Sequence, residues 1–329
     1  MKQQLFKLSL ITITLSAMGA AAVSHAAEGS GYPQRPISLI VSAAPGGTTD
    51  LAARMIADPL SKELGQPVVV ENKPGASGGI AAQQVLRSKP DGYNLLLQYS
   101  GYQVITPSIE KVQWDPVKDF TPIANVLSAP QVLVVKKDLP VNSLKELVQY
   151  AKDNPGKLNY ASSGTGALQH VATEQLNQMA GIKTTHVPYK GTGPALTDLL
   201  AGVVDMTITT PPPLLPHIKS GALKALVVTS NEPLASLPDV PTAEAAGYPD
   251  LQVSSWFAMY GPKGLPKEVV ERLDTAIQKI MATPEYKKKA EGLGANAEYM
   301  GPEKLGAYTA EELARWKKVI DAAGIKGGN

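Results

Sequence analysis

The chain has 329 residues, more than one hydrophobic core usually spans, so we expect two domains. Its hydrophobic content of 43% and charged content of 18% are typical of a globular protein and not of a disordered one. The absence of cysteine excludes disulfides and thiolate metal sites. A formal net charge of +2, without a lysine or arginine block, argues against a nucleic-acid-binding surface.

The N-terminus has the pattern of an export signal. Lys2 and Lys7 precede an uncharged run over residues 8–23, and Ser24-His25-Ala26 fits a small-x-small cleavage site. We therefore predict a signal peptide over residues 1–26, cleaved after Ala26. A retained membrane anchor is the competing interpretation, but the run is short for a span and rich in Ala, Ser and Thr. The mature protein is expected in the periplasm of a Gram-negative cell, without a lipid anchor because no cysteine follows.

The first predicted strand, residues 37–41, leads into a turn made of small residues, Ala43-Ala44-Pro45-Gly46-Gly47-Thr48-Thr49-Asp50. Apolar residues from Leu51 to Leu64 then recur at the spacing of one helix face. Glycines let the backbone approach a ligand, and a helix start offers unpaired N–H groups and a positive dipole end. The turn, called the first loop below, therefore suits an anion such as a carboxylate or phosphate. The alternative is a plain strand-to-helix turn, with Thr49 or Asp50 as its N-cap.

Further elements in chain order complete a first βαβαβ unit: a strand at 68–70, a helix at 80–88 and a strand at 95–97. The segment from Gln98 to Tyr102 ends the third strand, at the edge of a parallel sheet where ligands bind. A long strand over 120–135 is predicted to cross to a second unit, and a helix follows over 144–152.

A second βαβαβ unit is predicted over residues 158–208, and it repeats the loop arrangement. Ser162-Ser163-Gly164-Thr165-Gly166, called the second loop below, follows a strand and precedes a helix over 167–179. Two such loops suggest two halves facing one ligand. At the end of this unit, the run Thr209-Thr210-Pro211-Pro212-Pro213 suits a loop before a helix.

The remaining elements indicate how the two units are joined. A strand over 223–228 ends the second unit, a strand over 254–260 returns to the first sheet, and helices over 269–281 and 303–323 cover the first domain. We predict an α/β fold of two doubly wound lobes joined by two hinge crossings, like a type II periplasmic binding protein. Domain 1 comprises residues 27–125 plus 246–329, and domain 2 residues 126–245. Such a cleft can close by hinge bending.

The residues give little support to catalysis. His170, His186 and His217 have no metal-ligand partner at the usual spacing, so no metal is expected. Ser162 or Ser163 with His170 resembles a nucleophile and base, but the loop is not a G-x-S-x-G elbow. No P-loop lysine or dinucleotide fingerprint is present, so no cofactor is expected. We predict no catalytic residues.

Several ordered motifs resemble the Bug proteins, the substrate-binding proteins of tripartite tricarboxylate transporters. The matching stretches run from Tyr32 to Lys326. They are Tyr32-Pro33-Gln34-Arg35-Pro36-Ile37, Ala44-Pro45-Gly46-Gly47-Thr48-Thr49-Asp50, Val69-Val70-Glu71-Asn72-Lys73-Pro74-Gly75-Ala76, Pro90-Asp91-Gly92-Tyr93, Leu158-Asn159-Tyr160-Ala161-Ser162, His186-Val187-Pro188-Tyr189-Lys190-Gly191, Leu237-Pro238-Asp239-Val240-Pro241-Thr242 and Ala322-Ala323-Gly324-Ile325-Lys326.

The resemblance implies a periplasmic protein that delivers a carboxylate to a permease of one large and one small membrane subunit. It also implies that both loops hold one carboxylate through backbone groups, hydroxyls and water; Thr48, Thr49, Ser162, Thr165 and Gly166 match those loops. The residues we predict to bind ligand are Ala44, Gly46, Gly47, Thr48, Thr49, Gln98, Tyr99, Ser100, Tyr102, Ser162, Ser163, Thr165, Gly166, His170, Thr209 and Thr210.

Departures from the family pattern bear on the substrate. Ala43 and Ala44 are smaller than the family's usual residues, and Tyr99 and Tyr102 bring rings where small polar residues are usual. This pocket would suit an aromatic dicarboxylate such as terephthalate, unless the tyrosines only pack. The alternatives are an aliphatic di- or tricarboxylate, a ligand sensor for a two-component system and, less favoured, a hydrolase. The sequence shows no evident interface, so we expect a monomer.

Overall fold

A computed structural model describes residues 31–323 of the protein. The predicted signal peptide and its cleavage site therefore lie outside the described residues. The strands are β1 (Ile37–Val41), β2 (Val68–Asn72), β3 (Asn94–Tyr99), β4 (Phe120–Pro130), β5 (Val132–Lys136), β6 (Asn159–Ser162), β7 (Thr185–Pro188), β8 (Met206–Thr209), β9 (Leu223–Val228) and β10 (Ser254–Pro262). The helices are α1 (Thr48–Leu64), α2 (Gly79–Leu86), α3 (Thr106–Ile109), α4 (Leu144–Asp153), α5 (Leu168–Ala180), α6 (Thr192–Leu200), α7 (Leu215–Lys219), α8 (Lys267–Ala282), α9 (Pro284–Gly292) and α10 (Pro302–Ala323).

The strands form two five-stranded sheets with matching order, β2-β1-β3-β10-β4 and β7-β6-β8-β5-β9. In each sheet four strands run in one direction, and the fourth in the order, β10 or β5, runs antiparallel to its two neighbours. Strand β1 is almost entirely apolar because helices cover both faces of a parallel sheet. We call the first sheet with its helices the first lobe, and the second sheet with its helices the second lobe. The predicted two-lobed α/β fold is confirmed.

The chain passes between the sheets twice. Residue Gln131 alone separates β4 of the first sheet from β5 of the second, and the return lies between β9 and β10. The predicted long strand over 120–135 is thus two strands, one in each sheet. The domain limits near residues 126 and 245 stay a prediction, since residues from Tyr32 onward cluster as one compact unit.

The two crossings are hydrogen-bonded to each other. The Gln131 N–H donates to the Thr229 hydroxyl (2.8 Å), and that hydroxyl donates to the Val253 carbonyl (2.6 Å). The Gln131 amide also donates to Ser255 Oγ at 2.8 Å. These groups are buried, so their pairing avoids the cost of unsatisfied polar groups. Hydrogen bonds therefore join the two crossings where the chain passes between the lobes.

Asp205 links strands of the second sheet through polar contacts. Its carboxylate accepts the Asn159 N–H at 2.8 Å and an ion pair from Lys136 Nζ at 2.6 Å. Its own N–H donates to the Asn159 side chain at 2.8 Å. Asp205 therefore joins β5, β6 and β8 and has a structural role.

We expect Asp205→Ala to lower the free energy of unfolding by about 2 kcal/mol, because it leaves a partly buried N–H and a partly buried ammonium without a partner. Urea denaturation measures the difference. Glu271→Ala is the matched control: its ion pair with Lys267 is exposed (62% and 88%), so we expect a loss below about 0.5 kcal/mol. Equal losses in the two variants would contradict the role of Asp205.

A cleft between the lobes lined by threonines and aromatic rings

The first loop is held by a buried carboxylate. Asp50 Oδ2 accepts the Gly46 N–H at 3.1 Å, and Oδ1 accepts the Asn72 side-chain amide at 3.1 Å. Arg54 Nε donates to both oxygens at 3.0 and 3.1 Å, so a neighbouring positive charge balances Asp50. Asn72 also donates to the Ala43 carbonyl at 2.9 Å. Asp50 thus shapes the loop rather than opposing an anion as a free charge.

The start of α1 keeps its donors. Its N-cap, Gly47, makes no side-chain cap bond, so the N–H groups of the first turn have no capping acceptor. Thr48 and Thr49 are buried there, and the Thr48 hydroxyl lies 2.5 Å from the Thr210 hydroxyl of the second lobe. A seventeen-residue helix therefore directs its positive end and two hydroxyls at the cleft.

The second loop is satisfied largely by its own chain. Ser162 Oγ accepts the Gly164 N–H at 3.2 Å, and His170 Nδ1 accepts the Gly166 N–H at 3.3 Å. The Leu168 N–H, at the start of α5, donates to the Tyr99 hydroxyl of the first lobe at 3.1 Å. The two loops thus differ. The helix start after the first loop is uncapped, whereas the helix start after the second loop donates to the Tyr99 hydroxyl.

Tyr99 and Tyr102 both cross the cleft. The Tyr99 hydroxyl donates to Gln169 Oε1 at 3.0 Å, and the Tyr102 hydroxyl donates to the Ser163 carbonyl. Burial raises the pKa of Tyr99 above its usual range and that of Tyr102 to about 12, so both hydroxyls are neutral. The Tyr99 ring packs edge-on against Tyr102 (5.1 Å between centroids) and stacks on Phe257 (5.7 Å). Three aromatic residues thus form one wall.

A cavity lies between these groups. Its volume is about 10 Å³, room for about one water molecule. The lining residues are Ala43, Gly47, Thr48, Thr49, Tyr99, Tyr102, Ser163, Gln169, Thr192, Thr210 and Phe257. None of these carries a full charge, so recognition of an anion here depends on helix N–H groups and hydroxyls. The lobes must separate, or side chains must move, before an organic acid can enter.

Some residues predicted to bind ligand lie behind the cavity and support it. The Ala44 N–H donates to the Lys190 carbonyl (3.2 Å), Thr209 Oγ1 accepts from the Gln169 amide (3.1 Å), and Ser100 Oγ accepts the Trp256 N–H (3.2 Å). The residues that we predicted as contacts and that do not line the cavity are Ala44, Gly46, Gln98, Ser100, Ser162, Thr165, Gly166, His170 and Thr209.

Gln98 lies outside the cavity because side chains alternate along β3, so it and Tyr99 face opposite sides of the sheet. It is fully buried. Conversely, Ala43, Gln169, Thr192 and Phe257 line the cavity but were not predicted. Phe257 is paired with Tyr99 across β3 and β10, and that register between distant strands has no local signal in the sequence.

Ser162 pairs with His186 and not with His170, the partner weighed from the sequence. Its hydroxyl lies 2.6 Å from His186 Nε2, and the His186 ring stacks on His170 with centroids 4.1 Å apart. Burial, then the neighbouring His170, lowers the pKa of His186 to about 3, and burial also lowers that of His170. Ser162 does not line the cavity. The pair thus supports the back of the second loop.

None of the helices described within residues 31–323 is long and apolar enough to cross a membrane. In the same range, no group of three or more His, Asp or Glu residues is placed to hold a metal ion.

Comparison with known proteins gives one consistent family. The family model described as "Tripartite tricarboxylate transporter family receptor" matches residues 52–325. The chain is 36% identical over 324 residues to protein BugT of Bordetella pertussis, covering 97% of this chain and 98% of BugT.

Two solved structures have the same fold. The periplasmic binding protein BugD has a TM-score of 0.86 and 38% identity, covering 90% of this chain and 99% of BugD. The Rhodopseudomonas palustris protein Rpa4515, solved with adipate, has a TM-score of 0.87 and 36% identity, covering 90% of this chain and 99% of that protein.

Gly193 allows the lobes to meet, and we expect Gly193→Ala to hold them apart. A Cβ at Gly193 would lie 2.1 Å from the Pro45 carbonyl oxygen of the first loop, far inside contact distance. Small-angle scattering should show a larger radius of gyration than for wild type. In the control Gly292→Ala, the new Cβ meets no atom within 4 Å, so the radius should not change. Identical radii for all three proteins would contradict this expectation.

The depressed histidine pKa predicts a loss of stability in mild acid. An unfolded histidine binds its proton near pH 6.5 and folded His186 only near pH 3, so the stability present above pH 6.5 decreases as the pH falls. Because His186 is partly exposed, we expect less than about 1.4 kcal/mol per pH unit. Urea denaturation between pH 7 and pH 4.5 measures the slope. His186→Gln should reduce it; an unchanged slope would contradict the prediction.

Proposed function

Because the chain belongs to the tripartite tricarboxylate transporter receptor family, we propose that it captures an organic carboxylate in the cleft and delivers it to a membrane permease of that transporter class. The family consists of solute-binding receptors, so the protein binds a solute and is not an enzyme. A periplasmic location, like that of the periplasmic binding protein BugD, belongs to the proposal and agrees with the predicted export signal. The permease subunits and the monomeric state remain part of the proposal.

One observation carries the assignment of the ligand class. The start of α1 faces the cavity without a side-chain cap, and Thr48 and Thr49 lie on its first turn. Uncapped N–H groups, a positive dipole end and hydroxyls stabilise a carboxylate without needing a cation. Thr210 adds a hydroxyl from the facing lobe, so closure of the lobes would surround the bound anion.

The aromatic wall supports a finer proposal. Tyr99, Tyr102 and Phe257 present ring surface to the same cavity that contains the threonines. An aryl group can pack against such rings while its carboxylate meets the start of α1. We therefore propose an aromatic dicarboxylate such as terephthalate as the ligand to test first.

An aliphatic dicarboxylate is the second candidate. The observation that favours it is the adipate present in the similar Rhodopseudomonas palustris structure. A chain of methylene groups could also pack on the ring faces, so the lining alone does not decide between the two. A ligand sensor for a two-component system would bind its ligand in the same cleft. The neighbouring genes would distinguish the two roles, because a transporter needs a permease and a sensor system needs a kinase.

Calorimetric titration of the protein without residues 1–26 tests the proposal. The acids are terephthalate, benzoate, adipate and citrate, with terephthalate expected to bind most tightly. Thr48→Val should weaken every acid that binds, by about tenfold, because it removes a hydroxyl next to the carboxylate. Tightest binding of adipate would favour the second candidate. Failure of all four to bind would contradict the proposed function.

A further inference from the structure

A groove on the first lobe lies outside the cleft. It runs between helix α2 and residues 110–114, and its volume is about 750 Å³. Small-molecule sites in proteins have volumes of roughly 300–1,000 Å³, so the groove has the size of such a site. None of the residues that line it lines the cavity between the lobes. The groove is therefore a separate place at which a molecule could bind.

One turn of the chain separates the groove from the cleft. Ala76 and Gly79 line the groove. Ser77, which lies between them in the sequence, instead donates to the Thr165 carbonyl of the second lobe at 2.9 Å. The two sides of this turn thus face different surroundings, and a molecule in the groove would not occupy the cavity that contains the threonines.

The groove offers apolar surface. Ile80 is 52% exposed, which is unusual for a large apolar side chain, and Arg87 lies two turns further along the same face of α2. Trp114 packs closely under this helix, since a Cβ at Gly79 would lie 3.1 Å from the indole ring. Val112 lines the same groove. An apolar ligand body that covers this surface would gain free energy by removing it from water.

The indole of Trp114 has an unused hydrogen-bond donor. The side chain is only 9% exposed, and its buried Nε1 finds no acceptor among the described residues. A buried donor without a partner costs free energy that a ligand acceptor can recover. The polar requirement of the groove is therefore an oxygen acceptor.

The charges at the groove favour an anion. Arg87 and Lys111 both line it, and neither side chain makes an ion pair within the part of the chain that the structure describes. Glu110 also lines the groove and is likewise unpaired there, and its burial raises its pKa, which disfavours its charged form. Two cations and one carboxyl leave an excess of about one positive charge, which complements a single negative charge.

We propose that this groove is a second binding site, for a small amphipathic monoanion: a carboxylate with an apolar alkyl or aryl body. The body covers Ile80 and Trp114, and the carboxylate is attracted by Arg87 and Lys111. The site is additional to the carboxylate site in the cleft, and it does not depend on that function.

Indole N–H signals in two-dimensional NMR test the site, with octanoate as the probe and the protein without residues 1–26. The chain has three tryptophans, and Trp114→Phe assigns one signal. Octanoate should shift the Trp114 signal saturably and bind at least about tenfold more tightly than butanoate, because the longer chain covers more apolar surface. No shift of that signal, or a shift confined to Trp256 beside the aromatic wall of the cleft, would overturn the proposal.

Charge variants test the role of the cations. Arg87→Gln combined with Lys111→Gln should weaken octanoate binding about fivefold, whereas Glu110→Gln should strengthen it about twofold. A strengthened affinity cannot result from damage to the fold.

The matched control is Lys288→Gln combined with Lys289→Gln, which removes the same charge from exposed positions of α9. It should leave the dissociation constant unchanged. Equal weakening in the two double variants, or no effect of the groove variants, would contradict the proposal. Either result would leave the receptor function standing, because titration of acids into the cleft tests that function separately.

Discussion

The site depends on a negative charge that is neutralised before any ligand arrives. Asp50 shapes the first loop by accepting the Gly46 N–H and the Asn72 amide, while Arg54 balances its charge. An unpaired carboxylate at this helix start would repel an anion. Within this ion pair it instead fixes the backbone and leaves the first turn of α1 free to donate. The anion site at the start of α1, the contact between the first loop and the second lobe, and the cavity all depend on this loop geometry.

The two lobes repeat one topology but use their helix starts differently. In the first lobe, Asp50 fixes the loop from the side away from the cleft, and the N–H groups that face the cleft stay free for a ligand. In the second lobe, the N–H groups of the loop and of the helix start already donate to Ser162, His170 and the Tyr99 hydroxyl. A repeated fold therefore gives an asymmetric site: one side offers donors, and the other offers rings with their hydroxyls already engaged.

Much of this could be predicted from the sequence where the signal is local. The apolar run of β1, the glycines after it and the helical periodicity from Leu51 lie within a short stretch, so the first loop was found with its donors. The distinction between Gln98 and Tyr99 was not predicted, because it depends on which face of β3 meets the cleft. Phe257 and Gln169 belong to the site because each contacts Tyr99, a residue distant in the sequence. Neighbouring residues give no signal of such contacts.

Direct contacts between the lobes have a thermodynamic consequence for affinity. Ser77 donates to the Thr165 carbonyl at 2.9 Å without involving a ligand, and neither residue lines the cavity. Such a bond raises the fraction of molecules that are closed without a ligand. Because an acid enters the open form, the apparent dissociation constant is the intrinsic one divided by the open fraction. Substitutions at these remote residues would therefore scale the affinity for every ligand by one common factor. The affinity of this receptor can thus evolve independently of its selectivity.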